Sequence, residues 1–332
     1  MKELERLSNE LKQFLTKYDK RIILGHFTQL IENPSLGFAQ DEVCMLSSPM
    51  RQLYYLAGLL VTTTKSGEEV NYTKEDWTYI VDHLNAIETE YFKIFLPKEE
   101  TEITNKWKKK REVAMPSFLS YFNQGPLNFE EQSISWISDL YQKLDAIIET
   151  EIGLKTIDFL HFYDNLDRWC ENNLNGFQNL EISQIRSNWQ EYTTLQLGVV
   201  DEAPEEIKTL GKSHLPMYAF VADYGMKNRF KASDLEDKDL PLAKVEQILS
   251  VLSFKVVDSD LLYYTSTDNP LYRSPILNLG DGLYQVFEIK QVLHAIDAFL
   301  EELCCKLEKN QTKYVKEKGK LLENNIVSLF KS

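Results

Sequence analysis

The sequence predicts a mainly α-helical protein with multi-helix N-terminal and central regions, a small antiparallel β element near residues 254–289, and a long C-terminal helix. Apolar residues recur at three- and four-residue steps through residues 1–96 and again from Asn128 to Asn175, the period of a helix with one buried face. Short β-rich segments separated by Asp, Asn, Pro and Gly follow Phe254. A helical stripe then returns from about Lys290 to Lys309 through Val292, Leu293, Ile296, Phe299, Leu300 and Leu303.

The N-terminal region, 1–96, reads as helical throughout. Leu4, Leu7, Leu11, Phe14 and Leu15 mark one amphipathic face. Ser48-Pro49 opens a helix that runs to Val61, because Pro lacks only an N–H that the first turn leaves unpaired anyway. Thr73, with Asp76 three residues on, caps a third helix that ends before Pro97.

Residues 97–112 form a charged connector, and Lys106-Trp107-Lys108-Lys109-Lys110-Arg111 is the most basic stretch of the chain. Such a run is either a solvated helix end or a surface for phosphate. The central region, 113–253, carries helices from Asn128, with breaks at Gly153 and at Asn173 to Gly176, and further helices at 181–195 and 241–252. The region 254–310 holds the segments FKVV, LLYYTS, SPILNL and LYQVFEI and then the long helix. Gly280-Asp281-Gly282 is a hairpin signal between the last two segments.

A chain of 332 residues with 43% hydrophobic and 12% aromatic residues can bury a large core, which excludes global disorder. No apolar leader opens it, and Leu53 to Val61 is too short to span a bilayer, so the expected location is cytoplasmic with no membrane partner. Cys44, Cys170, Cys304 and Cys305 fit no zinc spacing and read as reduced thiols. The net charge of −14 opposes nucleic-acid binding over the whole surface, though not through a local patch at Lys106–Arg111.

His26, His83, His161, His214 and His294 are dispersed, without a paired metal spacing, and no nucleotide-loop or serine-hydrolase motif occurs. One candidate constellation is Asp281 with Glu288 and Lys290 in DGLYQVFEIK. A carboxylate followed by Glu-x-Lys at the end of an apolar strand can hold Mg²⁺ and position an attacking water. Strand alternation would put Glu288 and Lys290 on one face, with Glu246 on a preceding helix. Asp281 sits closer along the chain than such a site wants, and a structural hairpin with an exposed Glu and Lys is the competing reading.

The other candidate is the C-terminal stretch 311–332, whose last fourteen residues read as the start of a further domain. Lys318, Gly319, Leu322, Glu323, Val327 and Phe330 resemble the first helix of restriction-endonuclease-like domains: a basic residue, Gly, two variable positions, an apolar residue and Glu, then apolar residues down the same face. The resemblance implies a metal-completing role for Glu323, with the Asp and (D/E)xK strands still to come. SSPMRQLYYLAGLL, FEEQSISWISDLYQKLDAIIETEIG and NPLYRSPILNLGDGLYQVF are similar in texture to the helical N-terminal regions of large bacterial proteins that end in such nuclease domains.

Three functions follow. The first is a non-catalytic helical regulatory or interaction region of a larger nuclease-bearing protein, with no cofactor of its own and Mg²⁺ only where a nuclease site is completed; the resemblance implies a defence role for some such proteins. The second is a complete helical scaffold that binds a protein partner. The third is a small Mg²⁺-dependent nuclease using Asp281, Glu288 and Lys290.

Overall fold

A computed structural model describes residues 2–32, 42–70, 72–96, 99, 103–122, 129–175, 228–256 and 269–329. Its fold is mainly helical around one small sheet. Helices α1 (Lys2–Leu15), α2 (Lys20–Glu32), α3 (Pro49–Val61) and α4 (Lys74–Phe95) share one hydrophobic core. Helix α5 (Asn105–Phe122) lies against α3 and α4. A second core joins α6 (Glu130–Tyr141), α7 (Asp145–Ile152) and α8 (Thr156–Asn175) to α9 (Leu242–Leu252), α11 (Ile289–Cys305) and α12 (Glu308–Leu329). One short helix, α10 (Pro270–Arg273), precedes the hairpin.

The sheet lies between the two cores. Its strands β1 (Arg229–Lys231), β2 (Ser253–Lys255), β3 (Ile276–Gly280) and β4 (Leu283–Val286) run in the order β1-β4-β3-β2. Side chains alternate between faces. Ile276 and Val286 enter the second core, while their neighbours Leu277 and Phe287 enter the first. The segment therefore looks uniformly apolar in sequence because both of its faces are covered.

Local sequence explains several of these elements. Thr73 and Asp76 form a reciprocal capping box at the start of α4, as their spacing predicts. Gly153 closes α7 in the left-handed region, at φ 70°. Asp281 (φ 54°) and Gly282 (φ 73°) form the two-residue turn of the β3–β4 hairpin, where both central residues need positive φ. Helix α3 is buried on every side from Arg51 to Val61. Two lysines close its C-terminal end: Lys12 Nζ donates to the Thr62 carbonyl at 2.7 Å, and Lys20 Nζ to the Thr63 carbonyl.

Four expectations need correction. The sheet is mixed rather than purely antiparallel, because β2 pairs in parallel with β3 across the long connection containing α10. It also takes a strand from outside 254–289, the three-residue β1, which pairs antiparallel with β4. Residues 105–112 of the charged stretch are helical, since the Thr104 hydroxyl accepts from the Trp107 N–H at 3.2 Å and starts α5. The helix expected from about Lys290 to Lys309 ends at Cys305, where the chain turns at Lys306 and α12 packs back against α11 and α6. The segments at 181–195 and LLYYTS lie outside the described residues.

Candidate functional site

Polar chemistry gathers where β4 gives way to α11. The strand ends at Val286, so Glu288 is the residue just before α11 and Lys290 lies in its first turn. This corrects the expectation of a strand-borne Glu-x-Lys. Both residues are half-buried. Glu288 Oε2 accepts a hydrogen bond from the Tyr54 hydroxyl of α3 at 3.0 Å. Tyr54 stacks on Tyr272 of α10 at 5.3 Å between ring centroids. The Arg51 guanidinium sits over the other partner of that stack, 4.7 Å from the Tyr272 ring centre.

Burial pushes the Glu288 carboxyl above its ordinary range, against the Tyr54 hydrogen bond and the charges of Arg51 and Lys290. His294, one turn further along α11, is pushed down by burial and by the same two cations. The cluster is thus a partly desolvated carboxyl bonded to Tyr54 and close to Arg51 and Lys290, the two cations that also act on His294. Arg51 is buried, and its Nε has no hydrogen-bond partner among the described residues.

Asp281 does not join this cluster. It is exposed in the hairpin turn, and the whole of Leu283–Val286, roughly 13 Å of strand, separates it from Glu288. Glu246 is exposed on α9. Among the described residues no group of three His, Cys, Asp or Glu side chains could hold a metal ion. The carboxylates that the Mg²⁺ reading needs therefore do not fit such a site, since two of them are apart and Glu288 is committed to Tyr54.

Glu323 is exposed on α12, 35 residues after Glu288 in sequence. Lys318 on the same helix donates to the Tyr314 hydroxyl at 2.7 Å and to Glu301 at 3.3 Å. Around Gly319 there is open space. Lys106, Lys108, Lys109, Lys110 and Arg111 are exposed around the start of α5, with Arg111 over the ring of the half-buried Trp107 at 5.4 Å. Trp107, Arg111, Ile103 and Met115 line a shallow depression there. His83 Nδ1 donates to the Tyr79 carbonyl within α4 at 3.0 Å, and none of the four cysteines is in a disulfide.

The sequence pattern did not single out Arg51, Tyr54 or Tyr272. A signal for Arg51 existed: a helix apolar on all sides is buried, so a cation and an amide within it, Arg51 and Gln52, must find internal partners. Gln52 does so through the Ser48 N–H at 3.1 Å.

Among the described residues no helix is long and apolar enough to cross a membrane. No protein-family model, curated protein or solved structure matches this chain.

Proposed function

We propose that this protein is a non-catalytic helical interaction module that docks a protein partner through α12. The carrying observation is the exposed apolar surface of that helix: Val315 is 59% exposed, Leu322 45%, Ile326 53% and Val327 48%. Side chains of this kind cost free energy in water and mark association surfaces when they cluster. The spacing of Asp281 from Glu288 supports the non-catalytic part of the reading. Cytoplasmic localisation belongs to it as well, supported by four cysteines that form no disulfide.

Affinity purification of wild-type protein and of the Leu322→Asp/Ile326→Asp variant tests the reading. A stoichiometric protein partner retained by the wild type and lost by the variant is expected, with no Mg²⁺-dependent DNA cleavage. Cleavage that Lys290→Ala abolishes would overturn it.

A second reading places the module within a nuclease-bearing polypeptide. It is favoured by exposed Glu323 and open Gly319 on the stretch that resembles a nuclease helix. The gene should then continue past the Ser332 codon with an Asp strand and a (D/E)xK strand, and a stop codon there removes this second reading.

A further inference from the structure

We propose that the occupant of the exposed α12 face is a second copy of this chain, docked antiparallel to form a symmetric two-helix seam; this rests on reading α12 as a docking element. Val315, Gly319, Leu322 and Ile326 are separated by four, three and four residues, the spacing of a coiled-coil seam. At about 100° per residue the stripe lies roughly 110° round the helix from Tyr314 and Leu321. Those two side chains are buried in the second core, so the stripe is a separate face. Every residue from Leu322 to Val327 is exposed, so this end of α12 projects beyond the packed body. A projecting stretch of under three turns is marginal alone and gains from a partner.

Gly319 fixes the orientation. Nothing lies within 4 Å of the place a Cβ would occupy, which leaves a hole for an incoming side chain. In an antiparallel pair centred between Gly319 and Leu322, the partner's Leu322 fills that hole and Val315 meets the partner's Ile326. A parallel pair would set glycine against glycine and leave a void. It would also draw on Lys318, which Tyr314 and Glu301 already hold.

Charge agrees with the antiparallel choice. Lys316 and Glu323 flank the stripe on its solvent side, both exposed and, among the described residues, in no ion pair. The antiparallel register brings Lys316 of each copy to Glu323 of the other, giving two complementary pairs.

Sedimentation velocity of the full chain between about 1 and 100 µM tests this, with circular dichroism as a folding control. A reversible monomer–dimer equilibrium is expected. Leu322→Asp or Ile326→Asp should weaken it about tenfold or more. Lys316→Glu and Glu323→Lys should each weaken it about threefold to tenfold, and the double variant should restore it. A monomer at every concentration, or a dimer indifferent to these changes, overturns the proposal. A monomer that still loses another partner on Leu322→Asp/Ile326→Asp removes the second copy while leaving the docking role intact, whereas Lys290-dependent DNA cleavage removes the docking role itself.

Discussion

The Tyr54 hydroxyl donates to the Glu288 carboxylate at 3.0 Å across 234 residues of sequence. The bond ties α3 of the first core to the entry of α11 in the second, just past the end of the interior strand β4. Burial raises the Glu288 pKa from its ordinary value of 4.5, so its contribution to stability is full below that value and is lost as pH rises through the raised one. Tyr54→Phe removes a donor that favours the charged form and raises the pKa further. The variant should lose about 1–2 kcal/mol, and more near about pH 7 than near about pH 4. Urea unfolding at both pH values measures the difference; equal losses would show that the bond does not sense the charge.

Lys290 faces both titrating groups of the cluster and lowers the pKa of each. Lys290→Ala should therefore move Glu288 and His294 upward together. For His294, whose folded pKa lies below 6.5, stability is present above that value and lost as pH falls through the lowered one, and the variant reduces that loss. An NMR titration of the imidazole reads the shift directly.

At the start of α4 the Asp76 carboxyl is held at about 2: partial burial opposes ionisation, but Lys17, the Thr73 backbone and the Tyr18 and Thr73 hydroxyls outweigh it. Lys17 Nζ lies 2.6 Å from Asp76 Oδ1. This stabilisation is present above the ordinary 3.8 and disappears as pH falls toward 2. Asp76→Asn should lower stability by about 1–2 kcal/mol at neutral pH and by less in acid. Thermal melts from about pH 7 down to about pH 3 provide the comparison.

Gln285 is fully buried in β4 and bridges three segments. Its Nε2 donates to the Thr28 hydroxyl of α2 at 3.0 Å, and its Oε1 accepts from Arg229 Nε of β1 at 3.1 Å. Gln285→Ala leaves both partners short of a bond and opens a cavity, for a loss of about 2–4 kcal/mol in chemical denaturation. A loss below about 0.5 kcal/mol would mean that the bridge adds nothing to the fold.

Gly58 of α3 admits the side chain of Asn269. A Cβ at that position would stand 2.8 Å from Asn269 Nδ2. Asn269 cannot easily move: it donates to the Tyr54 carbonyl at 2.7 Å and accepts from the Leu271 N–H at 3.0 Å to cap α10. Gly58→Ala would raise helix propensity on an exposed helix, but here it should destabilise by about 1–3 kcal/mol. A melting temperature above that of the wild type would show that the glycine has no packing role.

The helical elements and their caps were legible because their determinants are local. The Thr73–Asp76 box, Pro49, Gly153 and the Asp281–Gly282 turn each act within a few residues. The end of α11 was legible only to within a few residues, at about Lys309 instead of Cys305, since no Gly or Pro marks the turn at Lys306. Strand β1 was invisible because three residues carry no period.

The candidate site divides along the same line. Sequence drew Glu288 and Lys290 together because they are neighbours in the chain, and it placed them on a strand because an apolar run precedes them. It could not see that α11 starts at Ile289, or that Arg51, Tyr54 and Tyr272 arrive from distant segments. By itself, the sequence determined a mainly helical chain with a hairpin at Gly280–Gly282, because backbone propensity, capping and periodicity are local energies. Tertiary structure alone decided which groups stand beside Glu288, and which face of α12 stays uncovered, because burial and pairing across hundreds of residues depend on how the two cores close on the sheet.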